Sequence, residues 1–581
     1  MHNKFKRLLR VLLKRLEVIK IKYTADFETT TDANDCRVWA FGVCEIGNPK
    51  NFIYGNNIDD FLAYCENSNN ATLYFHNLKF DAEFILPRLF ELGFRHVLDK
   101  SEFESKTFTT LISNKGQFYT MKIMFEKKGK RTKSVTIFDS LKILPFSIRD
   151  IAKGFNLPIK KGEVDYHEFR EIGHILTEEE IDYLRNDVTI PAMALDILFK
   201  EGLDKMTQGS NALFDYKRIV TPKRFEKWFP IPDYDKDVRR SYRGGFTYLN
   251  PKYAGVDVGE GVVFDVNSLY PSVMHDKALP YGEGIYFEGQ YKEDVLYNLH
   301  VQMLTCQFEL KENHIPTIQL KNNLAFIPTE YLTSSNGEDV TMCMTNVDLN
   351  LFFKHYDVFN TEYHSGWKFK STTELFKEYI DKWTTTKIQA KKDGNKALYL
   401  LAKLMLNALY GKFALNPNVQ SKIPYYDNGM VKYVDGDKEV RNPIYIPVGT
   451  FVTAWARHKT ISAAQSVFDR FIYADTDSLH LIGTSIPDEL EVDDTALGKW
   501  AHESTFTRGR FLRQKSYIEE VENVMHITCA GLPESCHYFV TWDNFHEGVI
   551  YSGKLQPKRV KGGIVLNETT FEIKEKKIVD K

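Results

Sequence analysis

The chain has 581 residues, enough for several domains, and its 43% hydrophobic and 14% aromatic content can fill large cores. A net charge of −2 and a pI near 6.8 exclude a uniformly basic nucleic-acid binder, so any DNA contact must come from local clusters such as 127–133, 387–396 and 554–561. Seven cysteines without a Cys-x-x-Cys pair argue against a disulfide framework or structural zinc, and no apolar run of about 18 residues predicts a transmembrane span.

In chain order, Phe5, Leu8, Leu9, Leu12, Leu13, Leu16 and Ile19 fall near helical spacing among Lys and Arg residues. Charges interrupt the apolar run, so this is not a secretory signal. It predicts a basic terminal helix over 1–22; a targeting peptide, or a surface for DNA, membrane or a partner, are the alternatives.

A strand beginning at Ile21 leads into Asp26-Phe27-Glu28-Thr29. Side chains two apart on a strand share a face, so Asp26 and Glu28 project together. A second apolar strand, Leu73-Tyr74-Phe75, ends at His76-Asn77-Leu78-Lys79-Phe80-Asp81. Thr177 and three glutamates then open a helix on which Tyr183 and Asp187 are four apart, on one face. Four carboxylates from three segments suit a two-metal hydrolytic site, with Tyr183 placing the attacking water.

In the second half, Val262-Val263-Phe264 predicts a buried strand carrying Asp265 and Val266, closed near Pro271. Lys403, Asn407 and Tyr410 share a helix face before Gly411; a cation and a flat ring suit a triphosphate and a base pair. Lys387 lies in a lysine-rich run, with a solvated helix face as the alternative reading. Residues 416–446 are polar and turn-rich and predict a hairpin excursion. Asp475-Thr476-Asp477 sits between apolar runs as a strand–turn–strand bend. With both carboxylates on one face and Asp265 beside them, it can hold the pair of divalent ions that nucleotidyl transfer needs. Alone, an Asp-x-Asp turn is usually structural; its companions give it weight. Lys515 and Tyr517 add another cation and ring.

Asp265-x-x-Ser268-Leu269-Tyr270-Pro271, Lys403-x3-Asn407-x2-Tyr410-Gly411, Tyr473-x-Asp475-Thr476-Asp477 and Lys515-x-Tyr517, in that order, resemble the polymerase motifs of family-B DNA polymerases. Asp26-x-Glu28, Asn77-x2-Phe80-Asp81 and Tyr183-x3-Asp187 resemble the family's three proofreading motifs. The long spacing from Tyr270 to Lys403, the 416–446 excursion, and stretches such as Tyr242-Arg243-Gly244-Gly245-Phe246, Thr345-Asn346-Val347-Asp348, Thr453-Ala-Trp-Ala-Arg457 and Trp500-Ala-His-Glu-Ser504 resemble the protein-primed polymerases of the phi29 type. The similarity runs from about residue 21 to the C-terminus.

The resemblance implies an α/β multidomain fold. After the extension at 1–22 come an RNase H-like exonuclease domain (23–207), a first palm part with the linker (208–276) and an insert that docks a terminal protein (277–375). Fingers (376–414), a strand-displacement insert (415–446), a second palm part (447–528) and a thumb (529–581) follow. It implies that Asp265 and Asp477 bind two Mg2+ ions, completed by the Val266 carbonyl and Asp475, with Mn2+ as a substitute. Tyr270 would exclude a 2′-hydroxyl, Lys387, Lys403 and Asn407 would bind the triphosphate, and Tyr410 and Gly411 would line the base pair. Ser268, Lys515 and Tyr517 would hold primer and template. Asp26, Glu28, Asp81 and Asp187 would carry the excision metals, aided by Lys161, while Glu163, where relatives carry Asp, is a further metal candidate. Thr29, His76, Asn77, Phe80, Phe84, Ser140, Leu141 and Tyr166 would bind the frayed single strand, whose bases stack on aromatic rings at ~1–3 kcal/mol each. Tyr242, Arg243, Gly244 and Gly245 would pass the primer between sites.

The implied partners are primer–template and single-stranded DNA, deoxynucleotides and a priming terminal protein forming a heterodimer with an otherwise monomeric enzyme. The implied location is the host-cell cytoplasm of a phage. Two departures stand out: the stretch 517–529 is short, and 387–403 is long, with Tyr399 where a second basic contact is expected. A reverse transcriptase joined to a nuclease is the rival enzyme, disfavoured because Thr476 separates the aspartates. A catalytically idle DNA- or terminal-protein-binding scaffold is the rival of another class, disfavoured because every expected carboxylate is present.

Overall fold

The computed structural model describes residues 21–68, 70–162, 168–319 and 331–575. The basic segment 1–20, Glu163 and Tyr166 lie outside the described residues.

The first body is built on an eight-stranded sheet. Its spatial order is Asn48–Gly55, Val38–Glu45, Lys22–Thr29, Thr72–Phe75, Arg131–Asp139, Phe118–Lys128, Thr107–Ile112 and Arg95–His96. Lys22–Thr29 and Arg131–Asp139 both run parallel to Thr72–Phe75 between them. Parallel strands need covered faces, and period-2 alternation supplies two apolar sides. Ala25, Phe27, Phe41 and Val43 pack with Phe61, Phe75 and Leu78. On the other face Trp39 and Ala40 meet Leu184, and Cys44 meets Val188, on the helix Glu178–Lys200. Thr177 caps that helix and Glu180 reaches back to complete a capping box.

The second body centres on a five-stranded antiparallel sheet in the order Trp500–Phe506, Gly261–Val266, Ser478–Ile482, Phe471–Asp475 and Thr247–Leu249. The long helix Ile446–Ser466 is buried along most of its length against it. Two helices, Lys377–Lys392 and Lys396–Ala408, pack together as a helical pair beyond the sheet. A four-stranded sheet from Leu279–Glu288, Tyr356–Thr372, Leu299–Leu310 and Val340–Thr345 carries the helix Asn346–His355.

The excursion after the helical pair is the expected hairpin, Asn418–Asp427 paired with Met430–Val440. Asn428 and Gly429 turn it, both with positive φ, as a two-residue hairpin turn requires. This hairpin and the C-terminal hairpin Ile550–Val560/Gly563–Glu572 both land on the helix Leu78–Glu91. Arg559 pairs with buried Glu83 at 2.7 Å, and the Tyr433 hydroxyl donates to the same carboxylate at 3.1 Å. The Tyr426 hydroxyl donates to Glu91 at 3.0 Å, and Tyr426 stacks on Phe90. Val431, Ile564 and Val565 are buried in the core of the first body. Two hairpins far apart in sequence thus pack the second half of the chain against the first body.

Candidate active sites

Asp265 ends the strand Gly261–Val266 and pairs in register with Ser478, just beyond the turn Thr476–Asp477. The Val266 amide donates to the Asp477 carbonyl at 2.8 Å, fixing the strand against the turn. Burial, then Asp477, then Glu503 push the Asp265 carboxyl up to about 7. Asp477 is raised too, by burial and then by Asp475. These groups line a cleft of about 620 Å3 with Asp475, Glu503, Lys515 and Tyr517.

Asp475 and Asp477 both line this cleft, but through a turn and not through the extended spacing expected. Thr476 has φ +61°, so the chain turns between them instead of running extended. Within the cleft Asp475 is held by its neighbours: Lys515 Nζ lies 2.7 and 2.6 Å from its two oxygens, and the Thr247 hydroxyl donates to it at 3.1 Å. Asp477 is the aspartate whose charge acts on Asp265.

The residues expected to bind the nucleotide come next. The helix ends at Ala408 and restarts at Tyr410–Phe413, one residue short of the continuous helix expected. Lys403 and Asn407 are exposed on it, and the Lys403 charge acts on Asp265. Lys387 faces Tyr399, its ammonium 5.9 Å from the ring centroid. Burial, then the Lys403 charge, lower its pKa. A Cβ at Gly411 would meet open space. Ser268, the N-cap before Tyr270, adopts the left-handed conformation.

The linker sits on the catalytic turn. A Cβ at Gly245 would lie 2.7 Å from Thr476 Oγ1, so only glycine fits this approach. Arg457, 3% exposed, donates to the carbonyls of Arg243 and Gly244 and pairs with Asp348 at 2.8 Å. Arg243 folds back onto the Arg240 carbonyl at 2.7 Å, and Tyr242 is half-buried beside Tyr410.

The second acidic site lies in the first body. Carboxylate oxygens of Asp26, Glu28 and Asp187 fall within 4.8 Å of one another. Burial, then Asp187, push Asp26 up to about 7, and burial, then Asp26, raise Glu28 and Asp81 well above the usual range. Burial also raises Asp187, against the pull of Lys161, whose ammonium is 3.1 Å away, and of the Tyr183 hydroxyl. Asp81 Oδ1 and Asp187 Oδ1 are buried without a hydrogen-bond partner. A cluster of buried, mutually repelling carboxylates with orphaned oxygens is a donor set for hard divalent cations, so the residues fit bound metal.

The expected strand-binding residues divide. Thr29 ends the acidic strand and Phe80 is half-buried. Asn77 takes a positive φ at the strand-to-helix turn, and its amide, like that of Leu141, donates to Asp139 Oδ1. His76 lies 3.0 Å from the Ser140 hydroxyl and 2.7 Å from the Phe146 carbonyl, and burial lowers its pKa. Two of these residues are buried. Phe84 is 1% exposed, where Gly563 of the C-terminal hairpin crowds its ring, and Ser140 is fully buried, donating to the Phe75 carbonyl.

Sequence reasoning missed Glu503 as a site residue. It stands on Trp500–Phe506, the strand paired with that of Asp265, and its charge reaches both Asp265 and Asp477. Its signal was a lone polar motif whose pairing only the sheet reveals.

An RNase H-like body with one acidic cluster, joined to an antiparallel sheet and helical pair with a second, defines a DNA polymerase that carries its own nuclease. Residues 64–176 and 170–496 match the family described as DNA polymerase type B, organellar and viral. The DNA polymerase of Bacillus phage B103 is 48% identical over 95% of this chain and 99% of its own length; that of Streptococcus phage Cp-1 is 34% identical over 95% and 98%. The phi29 DNA polymerase with primer–template DNA superposes with a TM-score of 0.91, at 47% identity over 96% of this chain and 100% of that one. Its complex with primer–template and incoming nucleotides gives 0.90. The chain belongs to the type B DNA polymerases, in their phi29-type branch, and is a DNA-directed DNA polymerase.

Proposed function

We propose that the cleft at Asp265, Asp475 and Asp477 performs template-directed deoxynucleotidyl transfer, and that the cluster at Asp26, Glu28, Asp81 and Asp187 excises mispaired 3′ ends. The observation that carries this reading is two separate carboxylate clusters in one chain: Asp26, Glu28 and Asp187 with oxygens within 4.8 Å of one another, and Asp265, Asp475 and Asp477 lining one cleft. Asp265, Asp477 and the Val266 carbonyl would hold Mg2+ in the first, which would supply activation of the primer 3′-hydroxyl and charge neutralisation of the triphosphate. The hydroxyl oxygen bonds the α-phosphorus, the bond to the β-phosphate oxygen breaks, and pyrophosphate leaves. Lys387 and Lys403 draw in the triphosphate, Tyr270 lies under the sugar, and Tyr410 and Gly411 face the new base pair. Lys515 bridges Asp475 and, with Tyr517, holds the primer end.

In the second site Tyr183 and Lys161 orient the attacking water beside Asp187, and Phe80 stacks on the frayed end. The 242–245 linker, seated on Thr476, passes the primer between sites.

The sheet of residues 279–372 receives a terminal protein whose hydroxyl starts synthesis. The 418–440 hairpin, closed onto Glu83 and Glu91, encircles the template and parts the downstream strand. The enzyme works in the cytoplasm of a phage's host.

The test is extension of a 5′-labelled primer on a template with a downstream blocking strand, in Mg2+, with and without deoxynucleotides. Extension through the block and 3′ shortening without nucleotides are expected. Arrest at the block overturns the role given to the hairpin, and binding with neither activity overturns both sites.

A further inference from the structure

We infer that Thr460 is a positioning residue for nucleotidyl transfer: from the helix Ile446–Ser466 its hydroxyl holds the carbonyl of Thr476, and so fixes the turn that presents Asp477 to Asp265. This rests on the reading of the Asp265–Asp477 cleft as the transfer site.

Thr460 is fully buried, and its Oγ1 donates to the Thr476 carbonyl at 2.7 Å. The carbonyl of Ala456, one turn back on its own helix, lies 3.3 Å away. A hydroxyl has one proton to give, and the shorter contact takes it, so the bond runs from helix to turn. That turn needs holding. The Asp477 amide donates to the Asp475 carbonyl at 2.7 Å across Thr476, whose φ is +61°. A three-residue turn with a positive central φ is strained, more so at a β-branched residue, and persists only where its neighbours over-determine it. The Thr476 amide donates to the Phe246 carbonyl at 2.6 Å, and the Asp477 carbonyl accepts from the Val266 amide at 2.8 Å.

The peptide between Thr476 and Asp477 is therefore held on both sides, its carbonyl by Thr460 and its N–H by Asp475. The Asp477 side chain leaves the backbone directly after that peptide, so a rotation of the peptide swings the carboxylate. Phe246 and Val266 grip the turn backbone to backbone, whereas Thr460 grips it with a side chain from a separate element. The same helix face reaches the linker: Arg457, three residues before Thr460 and next to it on the helix surface, donates to the carbonyls of Arg243 and Gly244. Gly245 then packs on the Thr476 side chain. One face of one helix thus addresses both the catalytic turn and the linker seated on it. Without the hydroxyl, the strained peptide loses the group that fixes its carbonyl, and Asp477 moves with it. Groups that orient a metal ligand without touching the metal weigh on the ligand's chemistry almost as the ligand itself does.

The test uses the full chain. Thr460→Val keeps the shape of the side chain and removes the hydroxyl. It is expected to lower kcat for single-nucleotide incorporation roughly 10–100-fold, with the nucleotide KM and excision little changed. Thr460→Ser keeps the hydroxyl and is expected to stay within about threefold of wild type. The second readout is equilibrium binding of Mn2+, followed by electron paramagnetic resonance on a complex with dideoxy-terminated primer–template and the next nucleotide. The chain for it carries Asp26→Ala and Asp187→Ala, which silence the other site. Thr460→Val is expected to raise the half-saturating Mn2+ by at least about threefold. Wild-type incorporation by Thr460→Val, unchanged Mn2+ binding, or a Thr460→Ser loss as large as that of Thr460→Val overturns the proposal. If Thr460→Val also loses excision, Thr460→Ala is compared with Thr460→Ser, since both lack the methyl group and differ only in the hydroxyl. Slower incorporation and weaker Mn2+ binding by Thr460→Ala support the proposal, and equality overturns it. Full extension by Asp477→Ala instead strikes the reading of the cleft itself.

Discussion

Tyr270 and Tyr410 lie face to face, their ring centroids 4.1 Å apart and their planes inclined by 23°. The first ring comes from the helix Leu269–Asp276 beside the acidic sheet and the second from the short helix Tyr410–Phe413. The residue assigned to the sugar thus touches the residue assigned to the base pair. On the proposed reading, a ring fixed in this way would stand against the sugar's 2′ position, where the hydroxyl that separates RNA from DNA precursors would be.

Tyr270→Val is therefore expected to raise ribonucleotide use, narrowing the ratio of kcat/KM for deoxynucleotide over ribonucleotide by at least about tenfold. Single-nucleotide incorporation with matched dNTP and rNTP measures it. An unchanged ratio would show that the selecting contact lies elsewhere.

The two sites are expected to fail independently. Asp477→Ala should lower extension by roughly a thousandfold or more while leaving excision intact, and Asp187→Ala should do the reverse. Both activities are read on one labelled primer.

Proton binding competes with metal at Asp265. The site takes ionised carboxylate, and the Asp265 carboxyl is pushed up to about 7 by burial, then by Asp477 and Glu503. Apparent Mg2+ affinity for extension should fall as pH drops through about 7. Glu503→Gln removes one repelling charge and should move that midpoint to lower pH, which titration of extension against Mg2+ at several pH values will show.

Stability follows the same protons with a definite sign. Asp26 is raised to about 7 in the folded chain, first by burial. The folded state keeps a proton that the unfolded chain gives up in the ordinary carboxylate range, so stability is lost as pH rises from that range through about 7. Asp26→Asn should raise the Tm of metal-free protein at about pH 8 and not at about pH 4. A thermal melt in chelator gives the answer.

Arg559→Ala should loosen the closure at Glu83. It leaves a carboxylate that is 1% exposed with the Tyr433 hydroxyl in place of a guanidinium, a loss of about 1–3 kcal/mol at the joint. Products from a single binding event, measured with a trap for released enzyme, should shorten. Initial rates with enzyme in excess should hold.

The sequence by itself determined the chemistry. Period-2 and period-3.6 spacing placed Asp26 with Glu28 and Tyr183 with Asp187, and hydrophobic runs marked the strands that carry Asp265 and Asp475, because local geometry alone sets which neighbours share a face. The 416–446 hairpin was legible in its turn residues. Only the tertiary structure decided what lies opposite what. Thr476 turns the chain between the two aspartates and gives Asp475 to Lys515. Glu503 reaches Asp265 through strand pairing across more than two hundred residues. Phe84 has the chemistry of a base-stacking ring, yet the C-terminal hairpin buries it. Likewise Arg170, Arg559 and Arg457 look like surface cations in sequence and become joints only where Glu180, Glu83 and Asp348 meet them. Such pairings depend on long-range packing, for which one chain's local spacing carries no signal.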